Sequence, residues 1–219
     1  MGFLCTFDDF RVFFPPGRGA APLVAIMVRV GLRAVQMFFV GHRVVGSVVG
    51  EGPGAIGFIS AYIRPVRGDG VDQLSRALAQ AGHLHLCVGM DANGHSPLWG
   101  PETVALDSVG EMVEGVLGES GLLVVNERGS PATFRGDRGF STWIDVTAVS
   151  PALAPRVSQW RVCDHLELAS DHHLVETFIS GCPRRGTVRT VRSWDAVDWP
   201  VFGTRLRAAL GPPDRKSVV

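Results

Sequence analysis

Between Ala55 and Asn126 the hydrophobic period of the chain switches repeatedly between two and 3.6, and this alternation most limits the folds open to it. Ala55–Arg64 reads as a strand with Ile56, Phe58, Ser60 and Tyr62 along one face, and Pro65 stops it. Asp69–Ala81 has helical spacing, with Val71, Leu74, Leu78 and Ala81 on one stripe and Gly82 at its end. His83–Met90 returns to a strand. Asp107–Ser120 is a second helix, with Val109, Met112, Val113, Val116 and Leu117 on its apolar side, and Leu122–Asn126 is a strand again. Upstream, Ala20–Val30, Ala34–Val40 and His42–Gly50 read as strands. Downstream, so do Ala132–Phe134, Ser141–Val149, Val157–Cys163 and Leu174–Ile179. Strands interleaved with two helices predict an α/β domain of two stacked mixed sheets flanked by helices, a four-layer sandwich.

Length sets the outer limits. A chain of 219 residues suits one large domain, or one domain plus a tail. The composition shifts after Gly181, so residues 1–180 are expected to form the domain. Residues 181–219 are expected to form a basic linker and a short helix carrying Val197, Phe202, Leu206 and Leu210. The apolar run Ala20–Val28 is too short to span a bilayer, and Asp8, Asp9 and Arg11 follow the apolar start too closely for a secretory signal. The four cysteines lie far apart with no C-x-x-C spacing, which predicts reduced thiols in an intracellular protein. Net charge is zero but unevenly spread. Residues 1–50 hold five Arg against two Asp, residues 51–181 eight Arg against sixteen acids, and residues 182–219 seven Arg and one Lys against three Asp. An acidic centre is compatible with a divalent cation, and basic ends with a nucleic-acid backbone; a merely solvated surface is the competing reading.

The chemistry concentrates in His85–Gly100, where a short apolar run opens into a polar loop rich in Gly, Ser and Pro. Alternation along an extended chain places Asp91 and Asn93 on one side and Met90 and Ala92 on the other. A carboxylate beside a carboxamide at a strand mouth can handle a proton and grip a phosphate oxygen, although both residue types also cap turns. Asp145 is embedded in the apolar Thr142–Val149, where an inward carboxylate requires a partner. Ser170-Asp171-His172-His173 leads into the closing strand, and Tyr62, the only tyrosine, ends another.

In this order, Asp91-x-Asn93, Ile144-Asp145-Val146-Thr147 and Ser170-Asp171-His172 resemble the signature of the endonuclease/exonuclease/phosphatase superfamily, which includes apurinic endonucleases and DNase I. The run Asp91-Ala92-Asn93-Gly94-His95-Ser96-Pro97-Leu98-Trp99-Gly100 narrows the likeness to the apurinic-endonuclease-like domain of non-LTR retrotransposons, notably the R1 type. Asn126-Glu127, Thr133-Phe134 and Val157–Val162 are similar as well, and Trp194–Trp199 resembles the connector those polyproteins carry towards a reverse transcriptase. The resemblance spans roughly residues 15–200.

The resemblance implies Mg²⁺-dependent nicking of double-stranded DNA to prime reverse transcription, with Mn²⁺ as a substitute metal and a nuclear site of action. It assigns Asp91 to proton transfer and Asn93 to positioning water or a phosphate oxygen. His172 would contact the scissile phosphate, oriented by Asp145, with Asp171 on the metal and Tyr62 donating to the phosphate. His95, Ser96, Trp99 and Arg135 become candidate DNA contacts. The family's opening strand-helix-strand, with its Asn and its metal-binding Glu, has no match here. The chain is expected to lack those elements, leaving an exposed sheet edge and uncovered apolar surface. Its activity is therefore open. The alternatives are a silent remnant or DNA-binding module of the same fold, or a phosphoesterase with another substrate.

Overall fold

The computed structural model describes residues 3–7, 9–15, 22–32, 35–136, 139–166 and 170–180, together with Thr204. In chain order the strands and α-helices are β1 (Phe3–Phe7), β2 (Phe10–Phe14), β3 (Ile26–Arg29), β4 (Val35–Val40), β5 (Val44–Val49), β6 (Ile56–Tyr62), α1 (Val71–Ala81), β7 (His85–Asp91), α2 (Ser108–Glu119), β8 (Leu123–Val124), β9 (Phe134–Arg135), β10 (Ser141–Thr142), β11 (Asp145–Val149), β12 (Val157–Cys163) and β13 (Leu174–Ile179). The tail expected over residues 181–219 lies outside the described residues, Thr204 excepted.

A six-stranded sheet in the order β4-β5-β6-β7-β11-β8 is the frame. Its only parallel pair is β6 with β7, joined through α1, and the other pairs are antiparallel, so the sheet is mixed as the alternation of periods predicts. Even-numbered positions of β7 and β11 (Leu86, Val88, Met90, Val146, Ala148) face the helices. There they pack with Ile59 and Ala61 of β6, with Leu74, Ala77 and Leu78 of α1, and with Val109, Val113 and Leu117 of α2. Leu74 and Leu117 are almost wholly buried, each contributing about 1.5–3 kcal/mol by removal from water. Asp107 caps α2 by accepting from the Gly110 amide at 2.7 Å.

The other face carries two small antiparallel sheets. β1-β2-β3 form a meander resting on β5 and β6, and β12-β13 form a ladder beside the cluster of Ile56, Cys87, Val149 and Leu153. Among the described residues both α-helices lie on one face of the six-stranded sheet. Between meander and ladder an open trough of about 1740 Å³ exposes the sheet. The sequence pattern did not show β1 and β2, whose phenylalanine-rich runs look equally like any apolar start. It also merged β10 and β11 into one strand. No helix of the described residues is long and apolar enough to cross a membrane. Cys87 and Cys163 are buried and form no disulfide.

Candidate active site

Strand register builds the site. Tyr62 at the end of β6 lies opposite Asp91 at the end of β7, and Asp91 lies opposite Asp145 at the start of β11. The three form one row across the sheet, all facing the trough, because β11 runs antiparallel and starts where β7 stops. His172, just before β13, completes the group from the second layer. Its Nδ1 donates to Asp145 Oδ2 at 2.9 Å and Oδ1 at 3.2 Å, and its Nε2 lies 3.8 Å from Asp91 Oδ2. An ionised carboxylate only accepts, so Asp145 fixes the proton on Nδ1 and turns Nε2 towards Asp91.

Electrostatics follow from this packing. Burial and the charge of Asp145 push the Asp91 carboxyl up to about 6, against the opposing effects of His172 and a hydrogen bond from the Asn93 amide. Burial alone would lower His172, but the hydrogen bond and charge of Asp145, then the charges of Asp91 and Asp171, outweigh it and leave the imidazole raised. Burial and the charge of Asp91 raise the Tyr62 phenol, partly offset by Arg43 and Arg64, so it remains a hydroxyl donor at neutral pH. The Arg43 guanidinium sits 5.5 Å from the Tyr62 ring centre and holds the ring by a cation–π contact.

Asn93 departs from the strand. β7 ends at Asp91, and Asn93 adopts a left-handed φ of 46°, its amide donating to Asp91 Oδ1 at 3.2 Å and its side-chain Nδ2 to the Ile63 carbonyl at 3.1 Å. The period-two argument that put it on the same side as Asp91 therefore runs two residues past the end of the strand. Asp171 is exposed, and its carbonyl accepts from the Arg135 amide at 2.8 Å. Arg135 is itself exposed beside this segment.

Ser96 and Trp99 correct an expectation. Both are buried, not at a DNA-facing surface: the Ser96 hydroxyl donates to Glu114 and accepts from the Leu98 amide at 2.8 Å, while Trp99 Nε1 donates to the Gly94 carbonyl at 3.1 Å. The loop folds back on its own helix because Gly94 and Gly110 permit close approach; a Cβ on Gly110 would stand 2.1 Å from the His95 carbonyl. His95 is half-buried, with Nδ1 2.8 Å from Asp107 Oδ2 and Nε2 2.7 Å from Thr142 Oγ1.

Several residues that the pattern did not mark as functional hold this site. The fully buried Thr133 accepts from the amides of Ile144 and Asp145 at 3.1 and 3.0 Å through Oγ1, and its carbonyl accepts from the His173 amide at 2.7 Å. Phe134 meets the His172 ring edge-on at 5.0 Å and bridges its backbone. Asn126 donates to the Asp145 carbonyl at 2.9 Å and accepts from the Thr147 amide at 2.8 Å. The resemblance touched these positions without giving them a role, and a polar side chain next to an apolar strand does not by itself distinguish such a role from ordinary turn chemistry.

Among the described residues no three His, Cys, Asp or Glu side chains converge as a ready-made metal cage. Two carboxylates nonetheless meet in one row with a single imidazole between them, raising Asp91 through their repulsion. Carboxylate oxygens such as that of Asp91 fit a hard cation held by few protein ligands, in the manner of magnesium.

Comparison with known proteins agrees with this geometry. A family described as Endonuclease-reverse transcriptase matches residues 56–176, which include every member of the row. A Retrovirus-related Pol polyprotein from type-1 retrotransposable element R1 of Bradysia coprophila is 30% identical over 130 residues, covering 56% of this chain and 13% of the polyprotein. This chain thus spans a small part of that relative's length. Among solved structures, the endonuclease domain of TRAS1, a telomere-specific non-LTR retrotransposon, superposes with a TM-score of 0.66 at 25% identity, covering 80% of this chain and 81% of that one. The AP endonuclease LMAP from Leishmania major shares the fold, with a TM-score of 0.61 at 12% identity over 78% of this chain and 71% of its own.

Proposed function

Since the chain belongs to the endonuclease-reverse transcriptase family, we propose that it hydrolyses phosphodiester bonds of double-stranded DNA, nicking a target to prime reverse transcription by a polymerase of the same polyprotein, in the nucleus. The observation that carries this reading is the Tyr62–Asp91–Asp145 row with His172 across it, at one end of an open trough. Hydrolysis needs a base for the attacking water, stabilisation of charge on the phosphate, and fixed placement of both.

Asp91, raised to about 6, is ionised enough at neutral pH to take a proton from water and basic enough to hold it. His172, held by Asp145, presents Nε2 to the phosphate as a hydrogen-bond donor when protonated. The Tyr62 hydroxyl donates to a non-bridging oxygen, and Asn93, pinned by Ile63, orients the water or a phosphate oxygen. Asp171, with Asp91, would hold a Mg²⁺ or Mn²⁺ ion, which when bound supplies charge neutralisation at the phosphate.

A supercoiled-plasmid assay in Mg²⁺ tests the reading. Nicking should disappear with EDTA and fall by about 10² or more in His172→Ala and in Asp91→Asn. Nicking equal in wild type and both variants would assign it to a contaminant and defeat the proposal. A folded chain that binds DNA without cutting it would favour the binding-module alternative.

A further inference from the structure

We propose that His95 is a positioning residue that fixes the distance between the Asp91–Asn93 strand end and the His172–Asp145 pair; this rests on the reading of that site as a phosphodiester-cleaving centre. The imidazole ties three segments together. Nδ1 is 2.8 Å from Asp107 Oδ2, at the start of α2, and Nε2 is 2.7 Å from Thr142 Oγ1, on β10. The His95 carbonyl accepts from the Asp107 amide at 3.1 Å, so the ring's own backbone is anchored to the same cap. A carboxylate accepts only, hence Nδ1 carries a proton towards Asp107 and Nε2 is turned to the Thr142 hydroxyl.

What Thr142 holds is the β9–β10 hairpin, which packs against the His172–Asp145 pair. Thr142 pairs with Phe134 across β10 and β9, and Phe134 bridges the His172 backbone and packs edge-on to its ring. The Thr142 carbonyl accepts from the Thr133 amide at 3.1 Å, and Thr133 Oγ1 in turn accepts from the Asp145 amide. His95 is two residues from Asn93, on a loop whose backbone closes against α2 at Gly94 and Gly110. His95 is thus linked to Asp145 through three hydrogen bonds by way of Thr142 and Thr133, and to Asn93 by two residues of chain. Both ring nitrogens are engaged within the protein, which accounts for a histidine at this loop without recourse to DNA contact.

The test separates the two bonds by side-chain reach. His95→Asn keeps an amide near the Nδ1 position, towards Asp107, whereas His95→Gln extends one to the Nε2 position, towards Thr142. Thr142→Val removes the hydroxyl without changing shape. In the full chain, kcat for plasmid nicking should drop about ten- to 100-fold in His95→Asn and Thr142→Val with KM changed less than about twofold. His95→Gln should recover most of the rate, and His95→Asn/Thr142→Val should be no slower than either single change. The ¹⁵N signals of His172 should report a single Nδ1–H tautomer in wild type and an exchange-averaged ring in Thr142→Val. Unchanged kcat, or additive losses with an unchanged His172 signal, would overturn the proposal. If wild type does not nick, the functional reading falls and the His172 spectrum decides alone: perturbation by Thr142→Val supports the latch, and no perturbation overturns it.

Discussion

The Asp91 carboxyl is held beside Asp145 at the expense of stability. The folded state holds its proton more tightly than the unfolded chain, because its pKa rises from an ordinary 3.8 to about 6. Its contribution to stability is therefore complete below the unfolded value and is lost as pH climbs through about 6. At pH 8 the ionised carboxylate destabilises the fold by about 3 kcal/mol, taking roughly 1.4 kcal/mol per pKa unit. His172, raised above 6.5, acts in the same direction: its stabilisation is present below 6.5 and fades as pH rises through the folded value. Asp91→Asn should thus be inactive yet more stable than wild type by about 1–3 kcal/mol at pH 8, with the gain shrinking towards pH 5. Urea denaturation at the two pH values measures both quantities. An equal effect at both pH values would mean that the carboxyl is not strained in the folded state. The placement of Asp91 at a strand mouth was legible in the sequence because a carboxylate closes the apolar run there. Arg43, which steadies Tyr62 from the bend just before β5, was not, since only the β5–β6 pairing brings it close.

The β9–β10 hairpin shows where element-scale reading breaks down. Ser141–Val149 has the composition of one continuous strand, and the break at Trp143-Ile144 comes from outside that segment. Thr133 Oγ1 captures the Ile144 and Asp145 amides, and Trp143 Nε1 donates to the Ser130 carbonyl at 3.0 Å. Such side-chain competition for backbone donors leaves no periodic trace. The helices, by contrast, were legible to within two residues at either end because each stripe of apolar positions packs on a sheet. Thr133→Val should destabilise by about 2–4 kcal/mol, since it leaves two amides without their acceptor in a fully buried position, while Thr133→Ser should restore most of the loss. A denaturant series on the three proteins checks this. Loss of nicking in Val but not Ser, measured well below the unfolding midpoint, would tie the same hydroxyl to the placement of Asp145 and His172.

At the scale of the molecule, the two faces of the central sheet follow different rules. The helix side is a dry core built from Leu, Ile, Val and Ala, and no titratable group of the candidate site enters it. The opposite side is divided between the meander and the β12–β13 ladder, and the Tyr62–Asp91–Asp145 row sits where they leave the sheet open. Immediately beside that row the floor is small: Ser60, Gly89 and Thr147 share one register line, and a Cβ on Gly89 would meet nothing within 4 Å. The walls are apolar, contributed by Ile26 and Val28 on one side and Val175 and Ile179 on the other. Uncovered apolar surface of this kind in a natively folded chain should capture an environment-sensitive dye. The native protein at neutral pH should therefore enhance anilinonaphthalene sulfonate fluorescence while keeping a cooperative unfolding transition, which distinguishes it from a loosely packed state. Gly89→Leu, which places a side chain on the open floor, should reduce that fluorescence several-fold with little loss of stability. Dye binding unaffected by Gly89→Leu would locate the apolar surface elsewhere, and strong destabilisation by the same change would mean that the trough closes in solution. The distinction bears on the proposed function, because a trough that stays open leaves the Asp91–His172 pair accessible from solvent along the sheet.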